Sequence, residues 1–138
     1  MRSLPRAVSW DVPALAAIFA TSGAIHLVRP EVYEPIMPAV VPAPRAVIYA
    51  SGVAELVCAV GLLHPRTRRP AGWASTALLL GVYPANLKMA KDATRSRSRG
   101  YRMAAFARLP LQLPMLRASY RAARVAARLG HPPPSQVA

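Results

Sequence analysis

A single acid, Glu55, interrupts residues 46–63, a run of eighteen (AVIYASGVAELVCAVGLL) that holds no other charge. As a helix this run is about 27 Å long, near the thickness of a bilayer's hydrocarbon core. A carboxylate at that depth costs roughly 2.5–3.5 kcal/mol on insertion scales, so it is expected to face protein rather than lipid. The chemistry open to it there is narrow: an ion pair, a proton carried through the helices, or a polar contact to a ligand in an apolar pocket. Ser51 lies four residues before Glu55, and Arg108 four before Gln112, so each pair shares a helix face. Gln112 is nine residues into its own apolar segment, as Glu55 is into its own, which puts the two at one depth with Arg108 about a turn shallower. The expected contact is Glu55 with Arg108, the long arginine side chain spanning the offset. A protonated, hydrogen-bonded carboxyl is the other way to tolerate the acid. A pair that only holds the helices together reads equally well.

Three further residues could join this set. His26 lies about two residues from the end of its apolar run, too shallow to meet Glu55 unless that run slides inward. Ser22 and Gly23 give the run a small-residue face that permits close helix packing. A structural hydrogen bond is the default role for His26, with proton transfer or ligand contact as the alternative. Tyr83 and Asn86 flank Pro84, whose missing N–H frees a carbonyl for another donor and implies a kink. Cys58, the lone cysteine, has no partner for a disulfide or a redox pair and reads as a small packing residue. His26 and His64 fall at opposite poles and His131 near the C-terminus, so bis-histidine haem is not expected. There is no metal-ligand cluster, Gly-rich phosphate loop or nucleophile elbow. No catalytic residue is assigned, and a soluble hydrolase is excluded.

The elements that must position these residues follow from composition. Hydrophobic residues make up 54% of the 138, yet formal charge is +13. So greasy a chain with so few acids fits apolar spans flanked by arginines better than a soluble domain. Nucleic-acid binding is not expected, because no aromatic–basic interleaving accompanies the charge. Asp11 before Pro13 is a good helix start. The runs 12–28, 46–63, 70–87 and 103–120 are the four expected spans of an all-α, integral membrane, up-down bundle. The N-terminal run imitates a signal peptide, but its apolar stretch continues through Val28, so an uncleaved span is expected. Between the first two spans, Pro35, Pro38, Pro42 and Pro44 exclude a regular helix. That segment is rich in Val, Ile, Met and Tyr, so it is expected as a structured, proline-rich connector against the protein. Pro110 and Pro114 interrupt the fourth run.

Arg117, Arg121, Arg124 and Arg128 recur at helical spacing on an Ala/Val/Leu segment, 117–129. A basic stripe of this kind suits an interfacial helix on anionic lipid; an ordinary solvated face is the alternative. Residues 1–129 form one expected domain, and the proline-rich 130–138 a disordered tail. Basic residues divide almost evenly between the two sides of a four-span layout, so the charge rule does not choose an orientation.

Ser22–Pro38 (SGAIHLVRPEVYEPIMP), Tyr49–Leu63 (YASGVAELVCAVGLL), Leu78–Ala90 (LLLGVYPANLKMA) and Arg108–Met115 (RLPLQLPM) together resemble the DoxX-like family of small membrane proteins. The matching positions are Ser22, Gly23, His26, Ser51, Gly52, Glu55, Pro84, Asn86, Arg108 and Gln112. The resemblance implies a four-helix bundle spanning the membrane. It also implies a link to thiosulfate:quinone and quinol oxidation, to oxidative-stress complexes, or to membrane-protein chaperoning. The long Arg-rich C-terminal extension departs from the family pattern.

The function expected from residues and resemblance together is an accessory, non-enzymatic subunit of a redox-linked membrane assembly. His26, Ser51, Glu55, Tyr83, Asn86, Arg108 and Gln112 would form its buried polar site, and a quinone or lipid its ligand. Its partners would be anionic lipids and other membrane or peripheral subunits, and its place the bacterial inner membrane with cytoplasmic termini. An assembly or chaperone-like interaction protein with a purely structural polar core is the alternative. A proton-coupled transporter using Glu55 is a third, disfavoured by the lack of an inverted repeat.

Overall fold

The computed structural model of the protein describes the backbone of residues 10–128 and the side chains of residues 10–124. Arg2, Arg6, the side chain of Arg128 and the expected tail over 130–138 lie outside the described residues. Within them the chain is all-helical: α1 (Asp11–Val28), 3-10 turns at Pro30–Val32 and Glu34–Ile36, α2 (Pro44–Leu63), α3 (Arg68–Ala93) and α4 (Arg99–Arg128).

Local chemistry sets the helix ends. Asp11 accepts the Val12 N–H at 3.1 Å through Oδ1 and pairs with Arg121 at 3.0 Å through Oδ2, tying the start of α1 to α4. Pro30 pushes Arg29 out of helical conformation, and α1 stops at Val28. Pro44 opens α2 at a position where no N–H is needed, two residues before the expected start. Ala43, just before it, is the non-glycine residue held at positive φ among the described residues. At the other end of α2, Arg68 donates from Nε to Leu62 O (2.8 Å) and from Nη2 to Leu63 O (3.3 Å), covering carbonyls the helix leaves free.

One expectation about α4 is corrected. Pro110 and Pro114 do not interrupt it; the helix runs through both, and both lie on its exposed side. The arginine stripe extends the same helix. Residues 117–124 continue the same helix, because Ala118, Ser119, Ala122 and Ala123 are buried and the α4 backbone packs on Gly72 of α3. Arg117, Arg121 and Arg124 project from the exposed side of that segment.

α1 packs along α2 and α3 along α4, while α2 meets α3 and α1 meets α4. Small residues set the close approaches. A Cβ on Gly23 would lie 2.7 Å from the Gly52 carbonyl oxygen, and one on Gly52 only 2.6 Å from His26 Cβ. A Cβ on Gly72 would lie 2.5 Å from the Ala123 backbone nitrogen. One apolar cluster, with Leu15, Phe19, Cys58, Leu62 and Leu79, fills the half nearer the α2–α3 turn. A second, with Tyr33, Ile36, Ile48, Met89 and Ala105, lies under the connector. As expected of that segment, the connector is structured and inserts Tyr33 and Ile36 into the protein.

Among the described residues α1 and α2 are long and apolar enough to cross a membrane. Only 28% and 33% of those stretches is buried, whereas the core helix of a soluble protein would be mostly buried. Val53, Val57 and Val60 make a row on the outer side of α2. α3 and α4 are long enough but fall short on hydropathy or charge.

Candidate functional site

Six of the seven residues expected at the polar site, His26, Ser51, Glu55, Asn86, Arg108 and Gln112, line one largely apolar cavity of about 550 Å³. Tyr83, the seventh, does not line it. Its neighbours Val82, Pro84, Ala85 and Asn86 do, while Tyr83 is 43% exposed, turned away by its place on α3. Ser22, Tyr33 and connector residues such as Ile36 and Met37 also contribute to the wall. The apolar content of the proline-rich segment was the only sequence signal for that part of it.

α1 delivers His26 far deeper than depth counting allows. Its Nδ1 lies 3.5 Å from Glu55 Oε2. The cause is the Gly23–Gly52 contact, which seats α1 and α2 almost backbone to backbone and lets α1 sit inward along α2. Nδ1 is also 2.8 Å from the Ser22 carbonyl, which can only accept, so the proton on this ring belongs to Nδ1. Tyr33 stacks on the imidazole with ring centroids 3.7 Å apart and planes 14° from parallel, pinning the connector over the site.

Glu55 and Arg108 do not pair. Arg108 instead places its guanidinium carbon 5.8 Å from the centroid of the Tyr33 ring. Its helix is anchored next door by Gln112, which donates from Nε2 to Leu79 O at 2.6 Å and accepts from Asn86 Nδ2 at 3.1 Å. The carbonyl that Pro84 deprives of its donor is that of Leu80; the one Gln112 takes is its neighbour. With α4 held this way, the Glu55 carboxyl and the Arg108 guanidinium both face the cavity without meeting. Glu55 Oε2 and Ser51 Oγ are buried without a hydrogen-bond partner. Buried polar atoms are satisfied in the great majority of cases, so two orphans on the wall of one cavity mark a place for a ligand's donor.

Gln112 carries much of the order in this wall. Gln112→Leu removes both bonds and strands the Asn86 amide, and is expected to cost about 1–3 kcal/mol. Thermal unfolding in detergent checks this; an unchanged midpoint would show that the two bonds contribute nothing net.

The family described as Domain of unknown function (DUF8561) matches residues 15–123. The chain belongs to this family. The matched stretch contains every residue that lines the cavity, and ends within the α3–α4 contact at Ala123. No curated protein and no solved structure matches the chain.

Proposed function

We propose that this member of the family is an integral membrane four-helix bundle of DoxX-like type. Its cavity holds the head group of a quinone or lipid, and the protein serves as an accessory subunit of a redox-linked membrane assembly. The observation that carries this reading is a cavity wall with unmatched polar groups: Glu55 Oε2 and Ser51 Oγ have no hydrogen-bond partner, and the Arg108 guanidinium and the Ser51 hydroxyl can donate to a quinone carbonyl. A volume of about 550 Å³ suits a small molecule, since such sites span roughly 300–1,000 Å³ and are mostly apolar with a few convergent polar groups. The interaction-protein alternative needs a solid interior around an enclosed Glu55–Arg108 pair, and both the cavity and the separated charges speak against it.

The outward valine row on α2 and the low burial of α1 and α2 support placing these helices in lipid. α3 and α4 complete the bundle, their polar positions turned to protein or to the membrane surfaces. Arg117, Arg121 and Arg124 then lie at the membrane surface among anionic headgroups, in the bacterial inner membrane with both termini cytoplasmic. Other membrane or peripheral subunits would contact the exposed faces.

The test is purification in mild detergent followed by extraction and mass spectrometry of what stays bound. A quinone or a single lipid class retained by the wild type, and lost from Arg108→Ala, is the expected result. Retention of bulk lipids in membrane proportions by both proteins would overturn the reading.

A further inference from the structure

We propose that the ligand enters sideways from the bilayer, through a gap between α2 and α3 bordered by Val47 and Gly81. It is then a neutral amphiphile with a hydroxyl head and one long apolar chain. This rests on the ligand-holding reading above and adds its route and chemical class.

The two helices converge on the turn side, where a Cβ on Gly61 would lie 2.7 Å from Ala71 Cβ. In the other half the cavity lies between them, with Val47, Ile48 and Ser51 on α2 and Gly81, Val82 and Ala85 on α3. Gly81 is the telling position. It stands two residues after the buried Leu79, about 200° around the helix axis, and so on the outer side of α3. It is exposed, a Cβ added there would meet nothing within 4 Å, and yet it lines the cavity. The cavity therefore reaches round α3 to the flank of the molecule at mid-length. The neighbouring flank is apolar, with Val53, Val57 and Leu80 exposed.

The pole carries the connector, although Val40 there is exposed and also lines the cavity. Tyr33 stacks on His26, Lys88 Nζ donates to Pro35 O at 2.7 Å, and Arg45 pairs with Glu34 at 2.6 Å, all holding the connector down. The head group follows from the orphans. Arg108, also on the wall, is engaged on the face of Tyr33, while Glu55 Oε2 accepts and Ser51 Oγ can do so; beside those two a hydroxyl is satisfied, whereas a carboxylate or phosphate would be set against Glu55. The chain takes the apolar wall and leaves between Val47 and Gly81.

Hexadecanol carrying a diazirine at its chain end, added to the protein in nanodiscs and photolysed, tests this. Expected is saturable labelling on peptides containing Val47 or Gly81, displaced by unlabelled hexadecanol but not by butanol or palmitate. Gly81→Trp and Val47→Trp should each lower labelling at least about tenfold. Gly100→Trp, which also meets open space but lies outside the cavity, should leave it unchanged. Circular dichroism and elution volume check folding, and either rim variant suffices if the other misfolds. Wild-type labelling in the rim variants, with loss in Glu55→Met, would overturn the lateral route while keeping the head-group site. Displacement by palmitate would overturn the neutral head. Labelling that neither saturates nor responds to Glu55→Met would overturn the ligand reading itself.

Discussion

Replacing Glu55 with methionine is expected to stabilise the protein by roughly 1–3 kcal/mol while abolishing ligand retention. Glu55 is 6% exposed, Oε2 has no hydrogen-bond partner and His26 Nδ1 stays 3.5 Å away, so the folded protein bears a desolvation cost that its neighbours offset only in part. Methionine is close in volume and adaptable in shape, and so leaves neither a void nor a clash. His26 Nδ1 loses nothing by the replacement, because it keeps the Ser22 carbonyl, and the Ser22 hydroxyl is only half-buried. The sign separates two views of the site. Were Glu55 an anchor of the fold, its removal would leave a buried cation uncompensated and cost about 3–5 kcal/mol. Unfolding of both proteins should be compared after detergent exchange has stripped bound ligand, since ligand alone would raise the wild-type value. A methionine variant less stable than the stripped wild type would refute the functional account of this carboxyl.

Gly72→Ala should act in the other direction, destabilising by about 2 kcal/mol or more. Alanine is the better helix former by about 1 kcal/mol, so propensity alone argues for a gain. Contact decides otherwise. The new Cβ would lie 2.5 Å from Ala123 N, 2.7 Å from Ser119 O and 2.9 Å from Ala123 Cα. All three are backbone atoms, and no rotamer change can move them. α3 and α4 must separate there, which also stretches the 2.9 Å bond between Thr76 and Ser119. Chemical unfolding in detergent measures the effect; a variant as stable as the wild type would mean that this interface is looser than its geometry.

How far the site could be read in advance differs residue by residue. Counting from the ends of their segments places Glu55 and Gln112 at one depth, and both line the one cavity. Depth within one helix is a local quantity, with a fixed rise per residue. His26 escaped the same counting, because its position relative to Glu55 depends on how far α1 slides along α2. Gly23 and Gly52 decide that by meeting across the chain. Ser22 and Gly23 hinted that a slide was allowed; nothing in their spacing gave its extent. The Arg108–Glu55 pair failed for a related reason. Rotation and seating of α4 come from Gln112, Asn86 and the Gly72 contact, and Tyr33 of the connector takes the guanidinium. Tyr83 fell outside because one residue's step is about 100° around a helix, and the proline-centred motif could not say which neighbour faces in.

The sequence by itself determined helices throughout, a structured connector, and one acid that had to be sheltered; of its four expected spans, α1 and α2 are the ones long and apolar enough for lipid among the described residues. Those follow from composition, periodicity and proline chemistry, which act over a few neighbouring residues. Only the tertiary structure decided that the shelter is a cavity rather than an ion pair. A cavity is the space that four helices and a connector fail to fill, and it exists only once small residues far apart in the chain have set the distances between them.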